Sequence, residues 1–282
     1  MMWMPETPSH EVFERGAYRS RFACDVHTHT LASLHAYSTI GECVAAAKEV
    51  GLELLGSTDH YSAMISSTHH IIDYQYFINF HMWPRVWDGV RVLRGCEADI
   101  VDLDGHFFGY DLTLAEGITG RRYKEPITLK EKVFENCDYV IASIHNQDFT
   151  YGASMAQTTE MFLKVLEQPE VLILGHVGRA GVPFDIDVVL EAARDAHKLI
   201  EINEHSFSSQ YPKARRHQCM RIAERCAELG CMISTGTDAH IATDVGRFDA
   251  TAELLDYIHF PEELIATASA ERFMSLVPCM RI

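Results

Sequence analysis

Short runs of Val, Ile and Leu alternate along the chain with longer amphipathic stretches, a pattern that predicts repeated strand and helix units around a parallel sheet. Seven such runs stand out: Arg21 to Val26, Leu52 to Gly56, Val90 to Cys96, Asp138 to Ser143, Val171 to Gly175, Leu199 to Ile202 and Cys231 to Thr235. Helices are expected near Thr39 to Val50, Ala156 to Glu167, Asp185 to Lys198, Lys213 to Leu229 and Thr251 to Tyr257. Thr39 with Glu42 three residues on has the form of a capping box, and Gly51 supplies a stop. Asp104-Gly105 predicts a hairpin after the third strand, and residues 111 to 130, with Gly117, Gly120, Arg121, Arg122 and Lys124, read as a polar excursion. No repeat, linker or composition break interrupts the chain, so residues 1 to 282 are expected to form one domain.

Parallel sheets and barrels place their chemistry at the C-terminal ends of the strands, so the residues at the end of each run matter most. The first ends in Asp25-Val26-His27-Thr28-His29, the second in Ser57-Thr58-Asp59-His60 and the third in Gly95-Cys96-Glu97-Ala98. The fourth ends in Ser143-Ile144-His145-Asn146, the fifth in Gly175-His176-Val177-Gly178, and the seventh in Gly236-Thr237-Asp238-Ala239-His240. His27 and His29 are two apart, so on an extended strand both imidazoles face one side and can grip one cation; Asp238 and His240 repeat the spacing. Any one of these histidines is more simply a core or surface residue. The joint placement on one rim predicts a polynuclear metal site.

Composition narrows the chemistry. Acidic residues outnumber Lys and Arg 40 to 24, a formal charge of -16, which disfavours generic binding to a phosphate polymer. Glu6, Glu11, Glu14, Arg15 and Arg19 break up the first twenty residues, and no later stretch is apolar enough to span a bilayer, so a cytoplasmic protein without a membrane partner is expected. The eight cysteines form no Cys-x-x-Cys pair and read as reduced core residues. The 16 histidines are the unusual feature, and many lie in the strand-end strings just quoted.

The string His27-Thr28-His29, His35, Thr58-Asp59-His60, Glu97, His145, His176 and Asp238-Ala239-His240 resembles the PHP (polymerase and histidinol phosphatase) family. The similarity extends over about residues 22 to 276 and is closest to the stand-alone bacterial phosphatases, with further support from His35-Ala36-Tyr37-Ser38-Thr39, Trp83-Pro84-Arg85-Val86 and Glu201-Ile202-Asn203. It implies an α/β fold, a distorted seven-stranded (β/α)7 TIM-like barrel, with residues 1 to 20 as an N-terminal extension and 111 to 130 as an insertion. It also implies three divalent metal ions: one on His27, His29, Glu97 and Asp238, one on Glu97, His145 and His176, and one on His35, His60 and His240. Imidazole-rich, thiolate-free ligands favour Zn²⁺, with Mn²⁺ or Fe²⁺ as alternatives.

The function implied is hydrolysis of a small phosphomonoester, of the histidinol phosphate, sugar phosphate or nucleotide class, by a metal-bridging hydroxide supported by Glu97 and Asp238. Arg179 and Arg247 are candidate substrate-binding residues, and Asp25 and Asp59 candidate partners that fix histidine tautomers, although either carboxylate could equally cap a strand end. His205 faces the same rim and is a candidate general acid, with a plain loop role the simpler reading. The chain has His176-Val177-Gly178-Arg179 where close relatives tend to carry His-Pro-Gly, which points to a different substrate loop. Competing readings are an amidohydrolase-type hydrolase, which leaves His35, His60 and His240 without a task, a DNA-end-processing phosphodiesterase, which the acidic balance disfavours, and a metal-stabilised scaffold. A homo-oligomer is expected only at the level of the family.

Overall fold

The computed structural model describes residues 22–278, so the N-terminal extension and the start of the first predicted strand at Arg21 lie outside the described residues. Seven parallel strands form a nearly closed barrel: β1 (Cys24–Thr28), β2 (Leu54–Ser57), β3 (Val90–Asp99), β4 (Tyr139–Ser143), β5 (Val171–Leu174), β6 (Leu199–Asn203) and β7 (Ile233–Gly236), each beside the next in that order. All seven predicted runs are strands. Closure comes just beyond β7, where the Asp238 amide donates to the His27 carbonyl (2.8 Å) and the His29 amide to the Ala239 carbonyl (2.9 Å).

The barrel is distorted at β3. Its first half pairs with β2, Leu54 to Ser57 opposite Arg91 to Arg94, whereas its second half pairs with β4, Gly95 to Asp99 opposite Tyr139 to Ser143. A separate two-residue strand, His60–Tyr61, takes over beside the second half and sets His60 in register with Glu97. Two ligand-type side chains from distant parts of the chain thereby share one row.

Between strands, α1 (Ile40–Val50) begins at the Thr39 capping box, in which Glu42 Oε2 accepts from the Thr39 amide at 2.7 Å, and ends on Gly51 at φ 81°. The helices α2 (Met155–Leu166), α3 (Ile186–Asp195), α4 (Lys213–Leu229) and α5 (Asp249–Tyr257) cover the outside. The third is shorter than expected, because Ala196 and His197 leave the helix and the chain turns into β6. Inside the barrel, below the strand ends, Val26, Leu54, Leu93, Tyr139, Ile141 and Leu199 pack with Phe273 from the C-terminal helix Ala270–Leu276. The Tyr139 hydroxyl crosses this interior to donate to the Val26 carbonyl at 2.6 Å, and it fits only because residue 56 is glycine: a Cβ there would lie 2.0 Å from the hydroxyl.

Residues 111 to 130 contain structure that the polar reading did not anticipate. Thr113–Glu116 and Arg122–Thr128 form an antiparallel hairpin ending in the capped helix Leu129–Phe134. The Asp104-Gly105 turn closes an antiparallel bridge between Ile100 and Phe107, as expected. A second hairpin turn lies at Asp88-Gly89, where φ values of 53° and 89° join Val86–Trp87 to the start of β3. That dipeptide is the same kind of signal as Asp104-Gly105.

Candidate metal centre

The strand ends deliver their polar residues to one place, in a gradient of burial. His27, His29 and Glu97 are fully buried, His60, His176 and Asp238 nearly so, and His35, His145 and His240 open towards solvent. The two oxygens of Glu97 divide the imidazoles between them. Oε2 lies 3.3 Å from His27 Nε2, 3.5 Å from His29 Nε2 and 2.9 Å from His60 Nδ1; Oε1 lies 2.7 Å from His176 Nε2 and 3.3 Å from His145 Nε2. Asp238 Oδ1 stands 3.1 Å from His29 Nε2, 3.8 Å from His27 Nε2 and 3.7 Å from His240 Nδ1.

The partners of the outward-facing nitrogens decide what the inward-facing ones can do. A carboxylate or carbonyl oxygen only accepts, so an imidazole nitrogen against it carries a proton, and the ring's other nitrogen is the one that can meet a cation once it is free of any second proton. His27 Nδ1 donates to Glu201 Oε1 (2.6 Å), His145 Nδ1 to Asp99 Oδ1 (2.5 Å) and His240 Nδ1 to the Asp238 carbonyl (2.9 Å). The Ser33 hydroxyl donates to Asp59 Oδ1 at 2.7 Å and therefore accepts from His29 Nδ1 at 3.0 Å. Four Nε2 atoms are in this way left as the nitrogens that would meet a cation at the centre.

The result is a set of buried polar atoms without hydrogen-bond partners: His27 Nε2, His29 Nε2, His60 Nδ1 and Glu97 Oε2. Such orphans are rare in folded proteins, and four of them gathered around one point mark a place where a bound cation would supply the missing partner. Within 4.8 Å of one another lie the ligand atoms of His27, His29 and Glu97, of His60, Glu97 and His145, and of His29, His60 and His240. This donor set of imidazole nitrogen and carboxylate oxygen, closed at its base and open at its mouth, fits divalent cations of the zinc type. His35 stands at the edge of the group, its Nε2 3.0 Å from His240 Nε2.

The electrostatics show the same imbalance. Burial pushes Glu97 up, but His145, His27 and His60 outweigh it and hold its carboxyl well below the usual range. Burial likewise opposes the Asp238 charge, and Arg179, His27 and His29 overcome it. His29 moves well down through burial and the neighbouring His60; His176 falls to about 4 through burial and Arg179. Against the cost of burial, Glu97 and the Asp99 hydrogen bond lift His145 to about 10, and Glu201, Glu97 and Asp238 lift His27 well above its ordinary value. Two of these groups sit on strained backbone: His176 at φ 30° and Asp238 at φ 57°, both in the left-handed region that non-glycine residues seldom adopt.

The neighbouring groups differ from expectation. Asp25 touches no imidazole. It accepts from the Thr237 hydroxyl (2.5 Å), the Thr237 amide (3.1 Å) and the Gly246 amide (3.0 Å), and so pins β1 to the loop after β7, which is the strand-end role. Asp59 reaches His29 only through Ser33, and also accepts from the Thr30 amide at 2.7 Å. Arg179 is turned inward: Nη2 donates to Asp238 Oδ2 at 2.7 Å, Nη1 to Asn203 Oδ1 at 3.2 Å, and the guanidinium lies 5.3 Å over the Tyr211 ring. Only 7% of it is exposed, so it acts on Asp238. Arg247 lies apart on the surface, paired at 3.5 Å with Asp244, because the Gly246 turn carries it outward. His205 is exposed on the same rim, close enough to feel Asp238, Arg179 and His240, with burial setting its ring below the usual value.

Glu201, part of the Glu201-Ile202-Asn203 string, has a role that its sequence context does not reveal. Its Oε1 takes the His27 proton and its Oε2 accepts from the His176 amide at 2.8 Å, so one carboxylate braces both sides of Glu97. Gly236 makes room for it, since a Cβ there would stand 2.4 Å from His27 Cβ and 2.5 Å from Glu201 Oε1. Asp99 was detectable, being two residues past Glu97 and hence on its face of β3.

Comparison with known proteins agrees with this arrangement. The PHP domain family matches residues 25–210. A probable phosphatase of Caldanaerobacter subterraneus subsp. tengcongensis is 36% identical over 258 residues, 92% of each chain, and one of Clostridium acetobutylicum is 33% identical over 254 residues, 90% of this chain and 93% of that one. Among solved structures, a putative histidinol phosphatase from Listeria monocytogenes shares the fold with a TM-score of 0.52 at 16% identity, over 81% of this chain and 99% of that one. Histidinol phosphate phosphatase from Lactococcus lactis, complexed with zinc, L-histidinol and phosphate, does so with a TM-score of 0.50 at 15% identity, over 85% and 94%. With the family match spanning more than half of the chain, and its histidines and acids gathered at the strand ends of a barrel, this protein belongs to the PHP domain family.

Proposed function

We propose that this chain is a metal-dependent phosphatase that hydrolyses a small phosphomonoester at the strand-end cluster. The observation that carries this is the convergence of the orphaned atoms of His27, His29, His60 and Glu97 in a buried site whose mouth is lined by further histidines. Phosphatase relatives covering nearly the whole chain support the reaction class, and the zinc and histidinol of the Lactococcus structure suggest zinc and a small organic alcohol.

His27, His29, Glu97 and Asp238 would hold one cation, Glu97, His145 and His176 a second, and His35, His60 and His240 a third, with Zn²⁺ preferred and Mn²⁺ or Fe²⁺ as alternatives. Such ions supply Lewis acidity towards phosphoryl oxygens and make water acidic enough to attack near neutral pH. The chain's own part is to hold charge in place. Glu97 presents an oxygen to each side of the cluster, Glu201 fixes the His27 tautomer, and Arg179 turns Asp238 so that Oδ1 faces the imidazoles. His205, exposed on the same rim, would be the candidate to protonate the departing alcohol.

The direct test is phosphate release from histidinol phosphate, sugar phosphates, nucleotides and a phosphodiester, after chelation and after restoring Zn²⁺ or Mn²⁺. Metal-dependent release from a monoester, lost in Asp238→Asn, is the expected result. Cleavage of the diester alone, or no release from protein shown to carry metal, rejects the proposal.

A further inference from the structure

His29 follows β1 and His60 opens the two-residue strand after β2, and their rings lie stacked with centroids 4.3 Å apart. Each turns one nitrogen inward: His29 Nε2 lies 3.1 Å from Asp238 Oδ1, and His60 Nδ1 lies 2.9 Å from Glu97 Oε2. Behind them both stands Ser33, fully buried at the end of the single helical turn Leu31–Ser33. A serine hydroxyl has one proton to donate and two lone pairs with which to accept. Ser33 uses all three. It donates to Asp59 Oδ1 at 2.7 Å and accepts from His29 Nδ1 at 3.0 Å and from the His60 amide at 3.1 Å.

Asp59 sets the direction of the Ser33 proton. This carboxylate is fully buried among neutral donors: its Oδ1 accepts also from the Thr30 amide at 2.7 Å, and its Oδ2 from the Thr30 hydroxyl at 2.9 Å and the Ser57 hydroxyl at 3.4 Å. A buried negative charge is costly unless donors surround it, and bonds to a charged acceptor are the stronger ones, so the carboxylate draws the Ser33 proton and the Ser33 oxygen is left to accept. The Tyr76 hydroxyl closes the far side of this group, 3.1 Å from Ser57 Oγ and 3.2 Å from Thr30 Oγ1, on a ring packed against Phe77, Phe80 and Trp83. The Trp83-Pro84-Arg85-Val86 string thus reaches the centre through Tyr76.

We infer that Ser33 is a positioning residue for the metal centre: with its proton committed to Asp59, its oxygen holds His29 by the ring and His60 by the backbone, and so fixes two ligand-type side chains from different strands relative to each other. The inference rests on the cation-binding part of the reading above and adds a residue that touches neither cation nor substrate. Removing the hydroxyl takes the acceptor from His29 Nδ1 and from the His60 amide together, and one donor from Asp59. Asp59 acts on His29 through this one oxygen, so the effects of the two residues on the centre are not independent.

The test is a double-mutant cycle of Ser33→Ala and Asp59→Asn, read as the zinc affinity of chelated protein titrated with buffered Zn²⁺, with the His29 Nδ1–H proton resonance and thermal unfolding recorded on each form. Ser33→Ala should weaken zinc binding about tenfold, the lower end for a partner behind a ligand, and move the His29 resonance upfield. Asp59→Asn should act in the same direction, and the double variant should bind zinc no more weakly than the weaker of the two single variants. A merely structural role would lower Tm and leave zinc affinity and the His29 resonance as in the wild type. That result, or two losses that multiply in the double variant, overturns the inference. Ser33→Ala removes a single oxygen and decides the matter by itself if Asp59→Asn does not fold. A wild type that takes up no zinc refutes the cation reading instead, and because phosphate release is not measured, failure of the phosphatase reading leaves the result standing.

Discussion

Glu201→Gln changes one buried atom pair and separates bracing from bulk. The native carboxylate accepts twice, from His27 Nδ1 at 2.6 Å and from the His176 amide at 2.8 Å. Glutamine has the same shape but one acceptor. If its oxygen stays with His27, its NH₂ faces the His176 N–H, donor against donor. If it turns round, the NH₂ donates to His27 Nδ1 and drives the ring proton onto Nε2, the nitrogen that faces Glu97 and must be bare to bind a cation. Either way one buried contact to a charged group is lost, which costs about 1.5–3 kcal/mol. Loss of such a partner behind a ligand typically weakens metal binding about 10- to 100-fold, or about 1.4–2.7 kcal/mol. The assay is titration of chelated protein with buffered Zn²⁺, with thermal unfolding of both forms. The metal-loaded form should lose more stability than the metal-free form, because weakened zinc binding removes stabilisation from the loaded form alone. Zinc affinity equal to that of the wild type would refute the bracing role.

Gly236→Ala should do similar damage by steric means: a Cβ 2.4 Å from His27 Cβ forces the His27 and Glu201 pair apart, and unfolding experiments should show a loss of about 1–3 kcal/mol together with lost zinc binding. Normal zinc binding would show that the strand can shift and absorb it. Arg179→Met leaves Asp238 Oδ2 buried without its main donor, and breaking a buried pair costs about 3–5 kcal/mol, read as a fall in Tm that Arg179→Lys does not restore because the native fork reaches Asp238 and Asn203 at once. Full rescue by lysine would mean that charge alone matters. Metal binding should release protons, since His145, held up at about 10, and His27, held above its ordinary value, must give up a proton before either can bind a cation. Zinc affinity should therefore rise with pH, and calorimetry in buffers of different ionisation enthalpy should register net release; none would contradict the assignment. The sign for stability is the reverse: the folded His145 value lies above the unfolded one, so its contribution to the metal-free fold is present at low pH and lost as pH rises from about 6.5 towards about 10.

Much of this architecture was legible in the order of residues. Val171 to Leu174 reads as a strand because a run of β-branched and apolar residues ends at Gly175, and His176 comes next, where a barrel exposes its rim. Strand ends are local features, so candidate ligands such as His27, His29, Glu97 and His145 could be named without coordinates. Their partners are not local. His27 and Glu201 meet across 174 positions, and nothing in either neighbourhood distinguishes that contact from the Asp25 alternative two residues away. The grouping of His60 was equally hidden: it depends on the break in β3 that puts His60 beside Glu97, so that His60 shares Glu97 Oε2 with His27 and His29 as well as approaching His240. Arg179 looked free because Gly178 precedes it, but the short helix Val177–Ala180 turns it into the barrel mouth. Hairpin 113–128 is not legible because it alternates too weakly to read as strands, its residues being largely exposed on both faces.

The most direct measurement is anomalous X-ray scattering at the zinc edge from crystals of the chain soaked in Zn²⁺. The account predicts strong peaks at about 2.0–2.2 Å from His27 Nε2, His29 Nε2 and an oxygen of Glu97, with another on the His145 and His176 side of the same carboxylate. Peaks only on surface histidines, with the atoms around Glu97 left without a cation, would contradict it.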